Sequence, residues 1–178
     1  VLEHQTKMHN LITQADFECR TALWDQAIMD EILDRDPNER SESTQRRIVN
    51  IGKKLVDYML FIDEAPLTSP IRGTSAFSAQ FSATGPTDTH GRPLRDLDLN
   101  TRLFRYPLSY LIYSEQFDTL PPDMRAYVYA RLWEILNGAE ADERYAKRDP
   151  GISRKIIEIL IDTKPNLPGY WKKPKISS

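Results

Sequence analysis

Apolar positions along the first third of the chain repeat every three or four residues. Val1, His4, Met8, Leu11, Ile12, Ala15, Cys19, Ala22 and Leu23 fall on this pattern, and no proline interrupts it before Pro37. The spacing matches the helical period and predicts a helix over about residues 1–33. "DRDPNERSES" reads as a turn: Pro37 stops the first helix, and Ser41 or Ser43 can cap the next. A second helix is predicted over about 44–62, with Ile48, Ile51, Leu55, Met59 and Ile62 on one face. Gly52 lies inside it, at a cost of roughly 1 kcal/mol relative to Ala unless a neighbouring helix needs close approach there.

The periodicity then stops. "DEAPLTSPIRGTSAFSAQFSATGPTDTHGRPLRDLD" contains four prolines and three glycines, with Leu67, Ile71, Phe77 and Phe81 among them. Disordered linkers tend to lack such apolar residues, so the stretch is expected to wrap over the helices as an ordered loop, with a helical turn near 75–82. Leu99, Leu103 and Phe104 fit a helix start, and Pro107 suits the first turn of a second short helix. A clean amphipathic helix is predicted over about 123–136, carrying Met124, Tyr127, Val128, Leu132 and Ile135, with Asn137 and Gly138 as its C-cap. "AEADERYAKRDPG" reads as a solvated connector. A last helix is predicted over about 152–161, from Ile152, Ile156, Ile157 and Leu160. In the tail "KPNLPGYWKKPKISS", Tyr170 and Trp171 are available to pin the chain down. No repeat and no strand alternation appear. The expected fold class is all-α: about five helices in an irregular bundle with one long ordered loop (about 65–98), forming a single helical domain over 1–178.

Composition narrows the function classes. The chain has 24 basic and 26 acidic residues, a net charge of -2, and hydrophobic and charged fractions of 40% and 28%. This balance is globular and argues against a general nucleic-acid or anionic-membrane binder, which needs a basic excess. No run approaches the length of apolar sequence that spans a bilayer. Cys19 is the single cysteine, so no internal disulfide forms. It lies on the apolar stripe, where a thiol is usually inert core. Val1 falls straight into a helical pattern without a preceding cap, and the chain is read as a fragment or C-terminal piece of a longer one.

The opening "VLEHQTKMHN" brings two histidines and a methionine together, and His90 is the only other histidine. At about 100° per residue, His4, Met8 and Leu11 share a face, whereas His9 lies near the edge of the stripe. Two histidines five apart are poorly placed to hold one metal, unlike a pair four apart. A metal site needs further ligands, and nothing in the spacing of Glu3, Glu18 or His90 recommends them. His4 or Met8 as an axial haem ligand is the more specific chemistry, although no C-x-x-C-H attaches a haem within this chain. The plainer reading is a buried His4 held by a hydrogen bond beside a core methionine, with His9 at the edge meeting solvent or an upstream segment.

A second cluster lies in "RPLRDLDLNTRLFRYPLSYLIYS". Arg102 and Arg105 are three apart, the spacing of neighbours on a helix, and such a pair can fork onto a carboxylate, a phosphate or a haem propionate. The alternative is an ion-pair network with Asp96, Asp98 and Glu115 that ties the loop to the helices. Tyr106, Tyr110 and Tyr113 read as half-buried packing residues. Catalytic templates are not met: there is no Gly-rich phosphate loop, no G-x-S-x-G and no spacing that singles out a triad.

"GRPLRDLDLNTRLFRYPLSYLIYSEQFDTLP", together with "VLEHQTKMHNLIT", resembles the C-terminal region of a group of uncharacterised bacterial periplasmic proteins, some linked to c-type cytochrome modules. The likeness covers residues 1–13 and 91–121. Members often have Cys where Leu108 stands, so the resemblance implies that this cysteine is not essential here. It implies a periplasmic setting and a cytochrome neighbourhood, without a transferable activity. The expectation is a non-catalytic helical module acting in docking or electron-transfer assembly, its partner an upstream segment of its own parent chain or a cytochrome-like protein. A haem- or metal-binding protein using His4, Met8 or His9 is the alternative. An enzyme with a site under the long loop near Arg102, Arg105 and His90 is a third.

Overall fold

The computed structural model describes residues 1–73 and 75–172. Its regular structure is helical, as the periodicity predicts, and the described residues contain no β-strand beyond two isolated bridges. Among the described residues, five α-helices of seven residues or more are joined by two of four residues. The chain forms two compact units, Val1–Tyr58 with Leu111–Ala130, and Met59–Tyr110 with Arg131–Ser178. No helix among the described residues is long and apolar enough to cross a membrane.

In the first unit, helix α1 runs Leu2–Leu33 and buries His4, Met8, Ile12, Ala15, Cys19, Ala22, Gln26 and Asp30 along one stripe. It ends where Asp34 turns left-handed (φ 50°) and returns its N–H to the Asp30 carbonyl. The last two buried positions are polar because they organise the following turn. Gln26 donates to the Asp30 carboxylate at 2.9 Å and to the Glu39 carbonyl at 2.7 Å, and accepts from the Ser41 N–H at 3.1 Å. Helix α2, Glu42–Met59, starts with the Ser41 hydroxyl accepting from the Thr44 N–H. Gly52 answers the question its position raises: a Cβ there would fall on the Tyr127 ring, with the Met124 sulfur at 3.3 Å. The absent side chain is what lets α2 approach the first turns of helix α5, Pro122–Leu136. Between them lies the one-turn helix α4, Glu115–Asp118, capped by Ser114.

The second unit holds the long loop, and the loop is built rather than loose. Helix α3, Phe77–Ala83, forms inside it. Phe81 meets Tyr110 edge-on at 5.3 Å and Phe104 at 6.3 Å, while Phe61 packs on Phe104 at 5.2 Å. The Arg95 guanidinium lies over both Phe81 and Tyr110, at 4.9 and 4.2 Å, a cation–π arrangement that ties the loop to this cluster. Phe77 departs from expectation: it stacks on Phe81 but remains half exposed.

Residues 99–104 do not start a helix. They form a tight reversal: Asp98 N–H bonds the Leu103 carbonyl, Leu99 N–H the Arg102 carbonyl and Arg105 N–H the Asp96 carbonyl. Leu99 adopts φ 59°, which no right-handed helix contains, and the Asp98 side chain closes the turn on Asn100 and Thr101. Pro107 likewise opens no helix; the next turn is a 3-10 segment at Tyr110–Tyr113. The connector after α5 contains helix α6, Glu143–Ala146, which buries Tyr145. Gly138 is the expected left-handed C-cap of α5, at φ 68°. Helix α7, Pro150–Thr163, begins two residues before the expected start because Asp149 caps it and Pro150 fits its first turn. Trp171 is fully buried against Trp133 at 5.2 Å, so it pins this end of the chain. Residues 173–178 of the tail lie outside the described residues.

Candidate functional site

The helical phase of α1 places His4 and Met8 one turn apart on the buried stripe. The His4 ring stacks on Tyr58 with centroids 5.3 Å apart and planes 17° from parallel. Burial, and to a lesser extent the positive N-terminal amine, push His4 down to about 4, so it is neutral at physiological pH. His9 stands near the edge of the stripe. It is half-buried, and its Nδ1 lies 2.5 Å from the Gln116 side-chain oxygen of α4. Gln116 also donates to the Thr13 hydroxyl, so one glutamine side chain joins α4 to two successive turns of α1. Among the described residues, no three His, Cys, Asp or Glu side chains converge as a metal site would require. Cys19 is buried, and burial followed by the Asp123 charge raises its thiol to about 11. It stays a thiol, a core residue rather than a nucleophile.

The two arginines singled out by spacing go different ways. Arg105 pairs with Asp96 at 3.1 Å. Asp98 closes its own turn, and the expected network through Asp98 and Glu115 is replaced by a different one. Arg92 bridges Asp88 and Glu158, the latter on α7 at 2.8 Å, and Asp162 of α7 accepts from the Thr89 N–H and hydroxyl. His90 belongs to this turn, with its N–H on Asp88. Arg102, Arg105 and His90 therefore occupy three separate settings rather than one site.

Arg102 instead lines a small cavity of about 180 Å³ with Arg144, Lys147 and Arg148. Its walls also include Leu60, Phe61, Pro107 and the first turn of α7. The loops here are shaped by backbone demand. Arg148 donates to the Leu60 carbonyl at 2.9 Å and the Pro107 carbonyl at 3.2 Å. Its Nε is buried with no hydrogen-bond partner. Glu64 accepts from the Leu103 N–H at 2.9 Å, which holds the Arg102 reversal in place. Sequence spacing found Arg102; Arg144, Lys147 and Arg148 sit in what reads as a solvated connector, and α6 is what brings that connector beside it.

A second feature lies on α1. Phe17 and Trp24 are each 66% exposed and Ile28 is 38% exposed. At about 100° per residue these three positions share a face roughly opposite the buried stripe. Beside them an open groove runs along Phe17, Arg20, Thr21 and Trp24 on one wall and Leu120, Pro121 and Pro122 on the other. Arg20 bridges the end of it, pairing with Asp16 and donating to the Thr119 carbonyl at 3.1 Å.

Comparison of the chain with protein-family models, with curated proteins and with solved structures gives no match.

Proposed function

We propose that this chain is a non-catalytic helical docking module, acting in the assembly of a periplasmic, cytochrome-associated electron-transfer system, with α1 as its docking element. The observation that carries the reading is the outward stripe of Phe17, Trp24 and Ile28 on a 32-residue helix whose opposite face is already buried. An exposed apolar patch rimmed by polar groups is how a recognition surface is built. Here the rim carries both signs, with Asp16 paired to Arg20 and Asp25 to Arg47. The periplasmic and cytochrome setting rests on the resemblance of residues 1–13 and 91–121.

The occupant proposed is a helix of the cytochrome-like partner. Apolar positions seven and then four apart make a straight seam, the shape that an amphipathic helix fills. The test is titration of a purified c-type cytochrome from the same source into this protein, followed by calorimetry. Trp24→Glu or Phe17→Glu should weaken the complex by about tenfold or more while circular dichroism stays unchanged, because both side chains are exposed. Unchanged affinity in both variants overturns the reading. So does a dimer of this chain in sedimentation that Trp24→Glu dissolves, since the stripe would then serve self-association.

A further inference from the structure

The cavity beside α7 holds more positive charge than the structure uses. Arg102, Arg144, Lys147 and Arg148 line it, against Glu64 and Asp149. Both carboxylates are already engaged with backbone: Glu64 accepts from the Leu103 N–H, and Asp149 caps α7 by accepting from the Ile152 N–H at 2.8 Å. Arg144 is shared with Asp142, which is not part of the lining, at 3.1 Å. Arg102 and Lys147 have no ion-pair partner among the described residues, and the buried Arg148 Nε donates to nothing. With Arg144 taken by Asp142, three cations face two carboxylates, which leaves one positive charge unmatched. The first turn of a 14-residue helix faces the same space, and its partial positive end adds to the field.

We propose that this cavity binds an oxyanion of the phosphate class, held by Arg102 and Lys147, with the charge of Arg148 in its wall. The reasoning is a match of charge and shape. A carboxylate offers two acceptor oxygens in one plane, whereas a phosphoryl group offers three, spread in space, to donors that arrive from different directions. Guanidinium groups fork onto such oxygens in pairs. The volume of about 180 Å³ suits a phosphoryl group with a short substituent rather than a nucleotide. Arg148 supplies the rigid part of the site, since two carbonyls fix its orientation. Burial, and then the nearby Arg102 charge, lower Arg148 to about 10, so it is still cationic at neutral pH. This site is independent of the docking stripe on α1.

The experiment is calorimetric titration of the intact protein with inorganic phosphate, glycerol phosphate and succinate, the last a dianion without the phosphoryl geometry. Phosphate should bind, and succinate should bind at least about tenfold more weakly. Tighter binding of glycerol phosphate than of inorganic phosphate identifies a phosphate monoester as the ligand; the reverse order identifies the free ion. Arg102→Ala and Lys147→Ala touch exposed side chains and should preserve the fold while each weakens phosphate by about tenfold. Arg105→Ala removes equal charge from the pair with Asp96 and should leave binding unchanged. The proposal is overturned if phosphate does not bind, if succinate binds as well, or if Arg105→Ala weakens phosphate as much as Arg102→Ala.

Discussion

His4 in the first unit and Arg148 in the second are both cationic residue types withdrawn from water, and the two regions treat them in opposite ways. His4 sits on a regular helical stripe with its ring stacked on Tyr58, and burial lowers it to about 4. It resolves the conflict by giving up its proton. An arginine has no such exit, because its guanidinium stays charged at any ordinary pH. Arg148 is instead met by backbone carbonyls of Leu60 and Pro107, groups that only irregular chain can aim at it. Regular structure thus stores a polar group by neutralising it. Loop structure stores one by solvating it with carbonyls, and leaves a cavity with a cationic wall beside it.

The largest test of this contrast asks whether both regions rest on an equally tight core. Leu55 in the first unit and Leu132 in the second are each fully buried. Truncating either to Ala should destabilise the protein by roughly 2–5 kcal/mol, the transfer loss plus an unfilled cavity. Denaturant unfolding checks it. A loss under about half a kilocalorie at Leu132 alone would mean that the second unit is held by its polar network rather than by its core.

What was legible in the sequence divides along the same line. The two long helices, α5 and α7 follow from apolar spacing because each is dominated by local period, and the cost of Gly52 in a helix leaves room for a close approach, which Tyr127 makes. His4 and Met8 were placed on the buried face by phase alone. The reversal at 99–104 carries the spacing of a helix in Leu99, Leu103 and Phe104. What overrides it is non-local: Glu64 takes the Leu103 N–H, and the Ile71 N–H takes the Leu99 carbonyl. Spacing makes Arg102 a helical neighbour of Arg105, whereas its companions at the cavity come from a segment some 40 residues away. No period in the chain records a cavity whose walls are assembled by side chain–backbone bonds. The outward stripe of α1 was also hidden, because a pattern reading assigns apolar residues to the core and Phe17 and Trp24 belong to the other face.

The next effect is a pH dependence that belongs to the helical region. His4 has a folded-state pKa near 4 against an ordinary value of 6.5, so between these values the unfolded chain binds a proton that the folded one refuses. Stability is therefore full above pH 6.5 and falls as the pH drops toward 4, at about 1.4 kcal/mol per pH unit at most. Below that pH the folded protein also binds the proton, and this contribution stops growing. His4→Phe keeps an aromatic ring against Tyr58 and removes the titration. Unfolding curves at pH 7 and about 4.5 should show a smaller acid loss in the variant than in the wild type. Equal losses would place His4 in a solvated environment and remove one half of the contrast.

The smallest effect is the sharpest, because one residue serves both a helix and the cavity. The Asp149 carboxylate caps α7 through the Ile152 N–H and lies in the wall of the cationic cavity. Asp149→Ala loses the cap and should cost roughly 0.5–2 kcal/mol, the usual range for an N-cap. Asp149→Asn keeps an oxygen in place to accept the same N–H, so its cost should be only a few tenths of a kilocalorie. The two variants share a second property: each deletes a negative charge beside Arg102, Lys147 and Arg148. If the cavity binds phosphate through its surplus charge, both should bind it more tightly than the wild type, although only one is destabilised. Stability and affinity would then move independently, which separates the structural duty of Asp149 from its electrostatic one. Weaker phosphate binding in Asp149→Asn would show that the carboxylate positions the arginines rather than opposing the ligand, and the cavity would then be held together by its own charges.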